Sequence, residues 1–228
     1  ALRPAVRAAP GHRFVRADLG QIEPRVLAAV SGDLALVQAT ASPDLYAPVA
    51  SRLGVDRSVA KVAVLAAMYG QRSGTAGEAL AGLRRAYPVA MRLLEDAAER
   101  GARGEPVHTF GGRLVRTARP GEEDAPVAPP VAASRGRFAR NAVIQGSAAE
   151  LFKAWAATIR ATTRDLGAQI VLCLHDEVLV HVPTDAAPEC AARVERALTD
   201  AARRSLGSGD VRFVADVSVI ERWSEAKG

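Results

Sequence analysis

The sequence predicts an α+β fold in which a long helical insertion separates the strands. Three observations carry this reading. Short strand candidates lie near both ends of the chain, helical periodicity fills most of the stretch between them, and an apolar hairpin pattern interrupts the later helices. Phe14 to Ala17 (FVRA) forms the first strand and ends at Asp18. QIEPRVLAAVSGD follows as a helix closed by Gly32, with Pro24 tolerated because it falls in the first turn. One helical stretch runs from Arg57 to Tyr69 and stops at Gly70; another runs from Ala79 to Arg100 and is interrupted near Pro88. EPVHTFGGRLVRT resembles a hairpin turning at Gly111-Gly112. Residues 119–136 are Pro-rich and aperiodic, which predicts a surface loop. A helix over Gly136–Thr163, the hairpin VLCLHDEVLV, a helix over Pro188–Ser205 and the closing strand RFVADVSVI complete the order.

With 228 residues, 49% of them hydrophobic and 24% charged, the chain can bury a real core. The net charge of +5 favours polyanionic partners such as nucleic acid, although only weakly. Two cysteines, Cys173 and Cys190, cannot build a disulfide framework or a zinc site, which suits a reducing cytoplasm. Cys173, inside an apolar run, is expected to be a small core residue. The start lacks a signal-peptide pattern and a Met, and reads as part of a longer protein; no apolar run approaches transmembrane length.

The segment Val171–Val180 sets His175, Asp176 and Glu177 between two apolar runs. Acids at a hairpin tip are usually solvated turn residues, and an acid such as Asp18 before a helix is commonly an N-cap. A second reading is open if both strands share one sheet. Two carboxylates about 4–6 Å apart repel each other unless a cation lies between them, and paired Mg²⁺ ions are the usual arrangement for phosphoryl transfer. Arg57, Lys61, Leu65 and Tyr69 recur every four residues and form one winding helical ridge, because a four-residue step drifts by only about 40°. Such a ridge is either a solvated basic face beside a core tyrosine or a surface that clamps a triphosphate and stacks a base. Arg137, Asn141 and Gln145 repeat the spacing on the later helix and are suited to bonding base edges or sugars. Gly70, Gly74 and Gly77 follow a helix instead of a strand, so neither a dinucleotide fingerprint nor a phosphate-binding loop is present. No Ser/His/Asp elbow is present, and His12, His108 and His181 have no ligand-like spacing.

Taken together, these segments resemble the family A (Pol I-like) DNA polymerases. DLGQIEPRVLAAVSGD from Asp18 is similar to the family's first palm motif, and RSVAKVAVLAAMYG from Arg57 to its fingers-helix motif. RNAVIQGSAAELFKAW from Arg140 resembles the palm helix that tracks the primer–template, and LHDEVLVHVP the catalytic hairpin. The resemblance implies a palm of antiparallel sheet and packed helices over residues 1–33 and 137–228. It implies a mainly α-helical fingers insertion over 34–136, with the Pro-rich loop at 119–136. The implied activity is template-directed DNA synthesis, with nucleotidyl transfer from a dNTP to a primer 3′-hydroxyl, in replication and repair.

The same resemblance implies site roles. Asp18 and Asp176 hold two Mg²⁺ ions, with Glu177 in support and His175 near the primer terminus. Arg57 and Lys61 grip the phosphates of the incoming nucleotide, and Lys61 is placed to protonate the leaving group. Tyr69 packs by the nascent base pair, and Glu23 with Tyr69 fills the space that a ribose 2′-hydroxyl needs. Gln21 contacts the sugar or phosphates, while Arg137, Asn141 and Gln145 contact the minor groove and backbone of DNA. Four positions depart from the family pattern: Leu65 stands where an aromatic residue is usual, Tyr46 where a His is usual, Pro24 replaces an aliphatic residue and Gly20 a serine. The implied partners are primer–template DNA and dNTPs, with no membrane, for a monomer in the bacterial cytoplasm at the nucleoid. Two rival readings are a catalytically weak primer–template-binding remnant and a two-metal nuclease using the same acids; the nuclease leaves Arg57–Tyr69 without a role.

Overall fold

The computed structural model describes residues 2–70, 76–119, 121, 127–207 and 209–226. Along the chain come β1 (His12–Gly20), α1 (Ile22–Ser31), α2 (Leu34–Ala39), α3 (Tyr46–Leu53), α4 (Arg57–Tyr69), α5 (Ala76–Ala86) and α6 (Pro88–Ala102). There follow β2 (Val107–His108), β3 (Leu114–Val115), α7 (Pro129–Thr163), β4 (Gln169–Leu174), β5 (Glu177–Pro183), α8 (Ala187–Leu206) and β6 (Val214–Ile220). The α+β class is as expected. Two compact units result: Ala1–Ile22, Ala149–Gly209 and Phe213–Gly228 form one, and Glu23–Ala148 with Asp210–Arg212 the other.

The first unit is built on a sheet of order β4-β5-β1-β6, with every neighbouring pair antiparallel. β1 is longer than its apolar run because it is paired on both sides, to β5 as far as Asp18↔Glu177 and to β6 as far as Gly20↔Val214. Asp18 is therefore a strand residue and not a helix N-cap; the turn into α1 is made by Gln21, in the left-handed region at φ 54°. Residues directly opposite across a ladder share a face. Phe14, Arg16 and Asp18 thus lie on one face with Leu179, Glu177, Asp216 and Ile220. That face buries an apolar cluster of Ala8, Phe14, Leu179, Ile220 and Trp223. The helix α8 packs on the sheet with Cys190, Val194, Ala197, Leu198 and Ala201 buried at helical spacing. The indole of Trp155, fully buried on α7, donates to the carbonyl of Val194 at 3.0 Å.

β4 lies at the sheet edge, and most of its residues are exposed, Val171 and Leu174 among them. This corrects the expectation for Cys173, which is exposed while Cys190 is buried. An apolar run marks a strand, but it does not say which face of that strand is covered.

His181 on β5 stacks on His12 at 4.4 Å between ring centroids, and its Nε2 accepts the Ala9 N–H at 3.2 Å. Burial, reinforced by His12, pushes the His181 imidazole below its ordinary value. The unfolded chain therefore takes up this proton more readily than the folded one, so the stabilisation is complete above the ordinary histidine range and lost as pH falls below it. Protonation of Nε2 also removes the acceptor for Ala9. Stability is therefore expected to fall from about pH 7.5 to about 5.5, with a lower Tm at the acid end. Thermal unfolding of wild type and His181→Phe at both pH values checks this; the variant should lose that part of the slope.

The second unit is helical. α4 spans Arg57–Tyr69 as the sequence predicts, and Gly70 ends it at φ 70°. Pro88 separates α5 from α6. α2 and α3 are additional to the sequence reading; at 6 and 8 residues they are too short for periodicity to register. Asp33 is what starts α2. Its Oδ1 accepts the Leu36 N–H at 3.2 Å, and its Oδ2 accepts those of Val89 and Ala90 on α6, so one buried carboxylate serves two helix N-termini. The helix α7 begins at Pro129 and not at Gly136, because Pro129 and Pro130 fall in its first turn, where a missing N–H costs nothing. The predicted loop at 119–136 is shortened accordingly, and its residues 120 and 122–126 lie outside the described ones. α6 and α7 pack closely at two glycines: a Cβ on Gly101 would collide with Ala139 Cβ, and one on Gly136 would meet the Ala98 carbonyl at 2.7 Å. Among the described residues, no helix is long and apolar enough to cross a membrane.

Candidate active site

At one end of the sheet, three carboxylates line up across three adjacent strands, with Asp18 on β1 opposite Glu177 on β5 and Asp216 on β6. Like charges directly opposite are destabilising, so this row needs a cation. Arg16 supplies one. It precedes Asp18 by two residues, hence shares its face, and its side chain is only 5% exposed. Its guanidinium donates through Nε to Glu177 Oε1, through NH1 to Asp216 Oδ2 and through NH2 to Asp18 Oδ2, each at 3.0 Å. Glu177, itself buried, also accepts Trp223 Nε1 at 2.8 Å and Arg3 NH2 at 3.3 Å.

Asp176 lies in the β4–β5 turn, beside His175, whose φ of 54° makes the turn tight. Its carbonyl accepts the Leu19 N–H at 3.0 Å, which fixes the turn against β1 next to Asp18. Burial pushes the Asp18 carboxyl above its ordinary value, and the neighbouring Asp176 pushes it further; Arg16 opposes both without cancelling them. The site is short of positive charge. Asp18 and Asp176 offer hard oxygen donors, and Mg²⁺ is commonly held by one or two carboxylates completed by substrate phosphates, so the pair fits such an ion. Among the described residues, no group of three or more His, Cys, Asp or Glu forms a metal-ligand set; Glu177 and Asp216 instead meet Arg16.

The helical unit gathers the nucleotide-side candidates into two groups. In the first, Tyr69 Oη donates to Glu23 Oε2 at 2.9 Å and Gln145 Nε2 donates to Glu23 Oε1 at 3.2 Å, which joins α4, α1 and α7. Burial pushes the Tyr69 phenol up, and its bond to Glu23 adds to this. In the second, Arg57 pairs with Asp44 through two nitrogens and lies over the ring of Tyr46, 5.8 Å from its centroid. Tyr46 itself is buried, and its phenol is pushed up by that burial and by Glu23. Arg57 and Lys61 are exposed and Leu65 and Tyr69 half-buried, so the four-residue ridge reaches solvent at its cationic end. Arg137 packs against the end of α4, where a Cβ on Gly70 would meet its Cγ at 2.9 Å. Arg137 and Gln145 are exposed, and the buried Oδ1 of Asn141 has no hydrogen-bond partner among the described residues. Gln21 sits half-buried at the strand-to-helix turn.

Sequence reading did not single out Arg16, Asp216, Trp223, Arg3 or Asp44. For Arg16 a signal existed, since an arginine inside FVRAD, two positions from an acid, places both charges on one face of the strand. The others depend on pairings that only the fold reveals.

The sequence pattern of DNA polymerase family A matches residues 1–225. DNA polymerase I of Chloroflexus aurantiacus is 35% identical over 98% of this chain and 25% of its own length. DNA polymerase theta of Caenorhabditis elegans is 32% identical over 75% of this chain and 11% of its own. The thermostable DNA polymerase I of Thermus caldophilus is 30% identical over 100% of this chain and 29% of its own. Among solved structures, the POL domain of Pol1 from M. smegmatis, in complex with DNA primer-template and dNTP, matches with a TM-score of 0.81 at 25% identity, over 98% of this chain and 42% of that one. The chain thus spans less than a third of the length of these curated relatives.

Proposed function

Because this chain belongs to DNA polymerase family A, we propose that it carries the catalytic site of template-directed DNA synthesis, joining a dNTP to a primer 3′-hydroxyl. The observation that supports this most is the pairing of Asp18 with Asp176, brought together from distant parts of the chain at one end of the sheet. In this reading, residues 1–33 and 137–228 serve as palm and 34–136 as fingers, with α1 and the start of α7 as palm elements packed among the fingers helices. Two Mg²⁺ ions held by Asp18 and Asp176 would supply electrostatic stabilisation of the charge that develops on the phosphoryl oxygens.

The chain's own residues do the rest. Arg57 and Lys61, at the solvent end of the ridge, bind the triphosphate, and Lys61 donates a proton to the departing pyrophosphate oxygen. Tyr69 and Leu65 give the base an apolar seat, with Tyr46 beneath Arg57 holding that cation in place. Glu23, fixed by Tyr69 and Gln145, occupies the space beside the sugar, and Gln21 bonds the sugar or phosphates. Arg137, Asn141, Gln145 and His175 contact the primer–template. Glu177 supports Asp18 through Arg16.

Primer extension on a recessed template with Mg²⁺, using the full-length protein beside an Asp18→Asn/Asp176→Asn variant, tests this reading; extension that survives in the variant contradicts it. The engagement of Arg57 by Asp44 favours a second reading, a primer–template-binding protein with weak catalysis. DNA binding without extension in the wild type would select that one. The sugar gate carries its own expectation. Glu23→Ala should raise ribonucleotide incorporation relative to deoxyribonucleotide incorporation by about 10–100-fold, because it removes the group that fills the 2′ position. Single-nucleotide insertion kinetics for both sugars check this, and unchanged selectivity refutes the gate.

A further inference from the structure

The acidic end of the sheet contains a cation of its own. Asp18, Asp176, Glu177 and Asp216 gather there, and among the described residues the positive charges that pair with them are Arg16 and, through Glu177 alone, Arg3. Arg16 cannot retreat to solvent, since its side chain is 5% exposed and its three nitrogens are bound to acids on three strands. Asp176 is different, because none of the described residues donates a hydrogen bond to its carboxylate. Only Asp18 faces both ways, with one oxygen on the Arg16 guanidinium and its charge set against Asp176.

We infer that Arg16 is a built-in counter-ion of the Asp18 carboxylate that competes with divalent metal for it and so sets the metal concentration at which the site fills. The inference rests on the metal-binding reading of Asp18 and Asp176. It follows from geometry and charge. A metal ion approaching Asp18 meets a full positive charge held 3.0 Å from one of its oxygens. The guanidinium also draws electron density and negative potential from the donor that the ion needs. Arg16 is a positioning residue and touches no substrate. While the site is empty it keeps the carboxylate row from repelling itself apart, and when the site fills it gives up part of its hold on Asp18, retaining Glu177 and Asp216.

The probe is Mn²⁺, measured by electron paramagnetic resonance as free versus bound ion, with no DNA, nucleotide or turnover. In the full-length wild-type protein, the binding that Asp176→Asn removes defines the site. Arg16→Met should tighten that binding by about tenfold, because a neighbouring unit positive charge has been taken away. Arg16→Lys, which keeps the charge, should stay near the wild-type value. A purely structural role for Arg16 predicts the opposite, weaker binding in Arg16→Met as the carboxylates lose their alignment. Unchanged or weaker binding therefore overturns the inference while leaving the metal site itself intact. Mn²⁺ binding that ignores Asp176→Asn removes both. Should Arg16→Met fail to fold, the unaltered protein still decides. The Arg16 side-chain ¹⁵Nε resonance, identified by its loss in Arg16→Lys, should move as Mg²⁺ is added, and a resonance that stays fixed while the site fills overturns the competition.

Discussion

Asp176→Ala is expected to lower the rate of primer extension by about a thousandfold or more, roughly 4 kcal/mol of transition-state stabilisation, while leaving primer–template affinity within about threefold. The two effects separate because they draw on different residues. Asp176 lies half-buried in a turn and, among the described residues, its carboxylate holds no other element, so its loss leaves the sheet pairing of β1 with β5 in place. Of the groups proposed to meet DNA, Arg137, Asn141 and Gln145 stand on α7 and are untouched, and His175, although beside Asp176 in the turn, keeps its own side chain. Single-turnover extension and equilibrium binding at matched salt give both numbers. A parallel collapse of affinity and rate would mean that Asp176 shapes the DNA surface and does not serve the chemistry. Salt must be matched because phosphate contacts make affinity fall steeply with ionic strength.

The second large effect is on stability. Arg25 is fully buried on α1, and its guanidinium reaches four backbone carbonyls: NH1 donates to Thr40 and Arg212, NH2 to Ser42 and Pro43. It thereby fastens the loop between α2 and α3, and the segment 210–212, to the first helix. Arg25→Met keeps most of the apolar stem but leaves these carbonyls without their donor. Each orphaned acceptor costs about 1–3 kcal/mol and the costs overlap, so a loss of about 4 kcal/mol, or roughly 8–16 °C in Tm, is expected. Urea denaturation of the two proteins measures it. A loss below about 1 kcal/mol would mean that water replaces the guanidinium at little cost.

Much of this was legible in the sequence, for identifiable reasons. α4 and α8 carry long periodic patterns with glycine stops, the strands β5 and β6 are rich in β-branched residues, and β1 holds the short apolar run around Phe14 and Val15, so their existence and order follow from local chemistry. That Asp18, at a strand end, and Asp176, at a hairpin tip, can converge was legible on the condition that both strands share one sheet. What escaped depends on contacts between distant segments. Cys173 and Leu174 look like core until β4 is known to be the edge strand. α2 and α3 are too short to show a period, and the start of α7 hides behind two prolines that read as a loop. Arg16 reads as an awkward charge in an apolar strand until three acids from three strands converge on it.

The contrast between the two cysteines has a practical use. Burial pushes the Cys190 thiol up to about 11 on the inner face of α8, where it is both protonated and inaccessible. Cys173 is exposed on the edge strand, three positions before Asp176. A maleimide fluorophore should therefore label this chain at one place without mutagenesis, beside the turn that carries a proposed metal ligand. Its emission would then give an optical record of ion and nucleotide arrival, independent of any product formed.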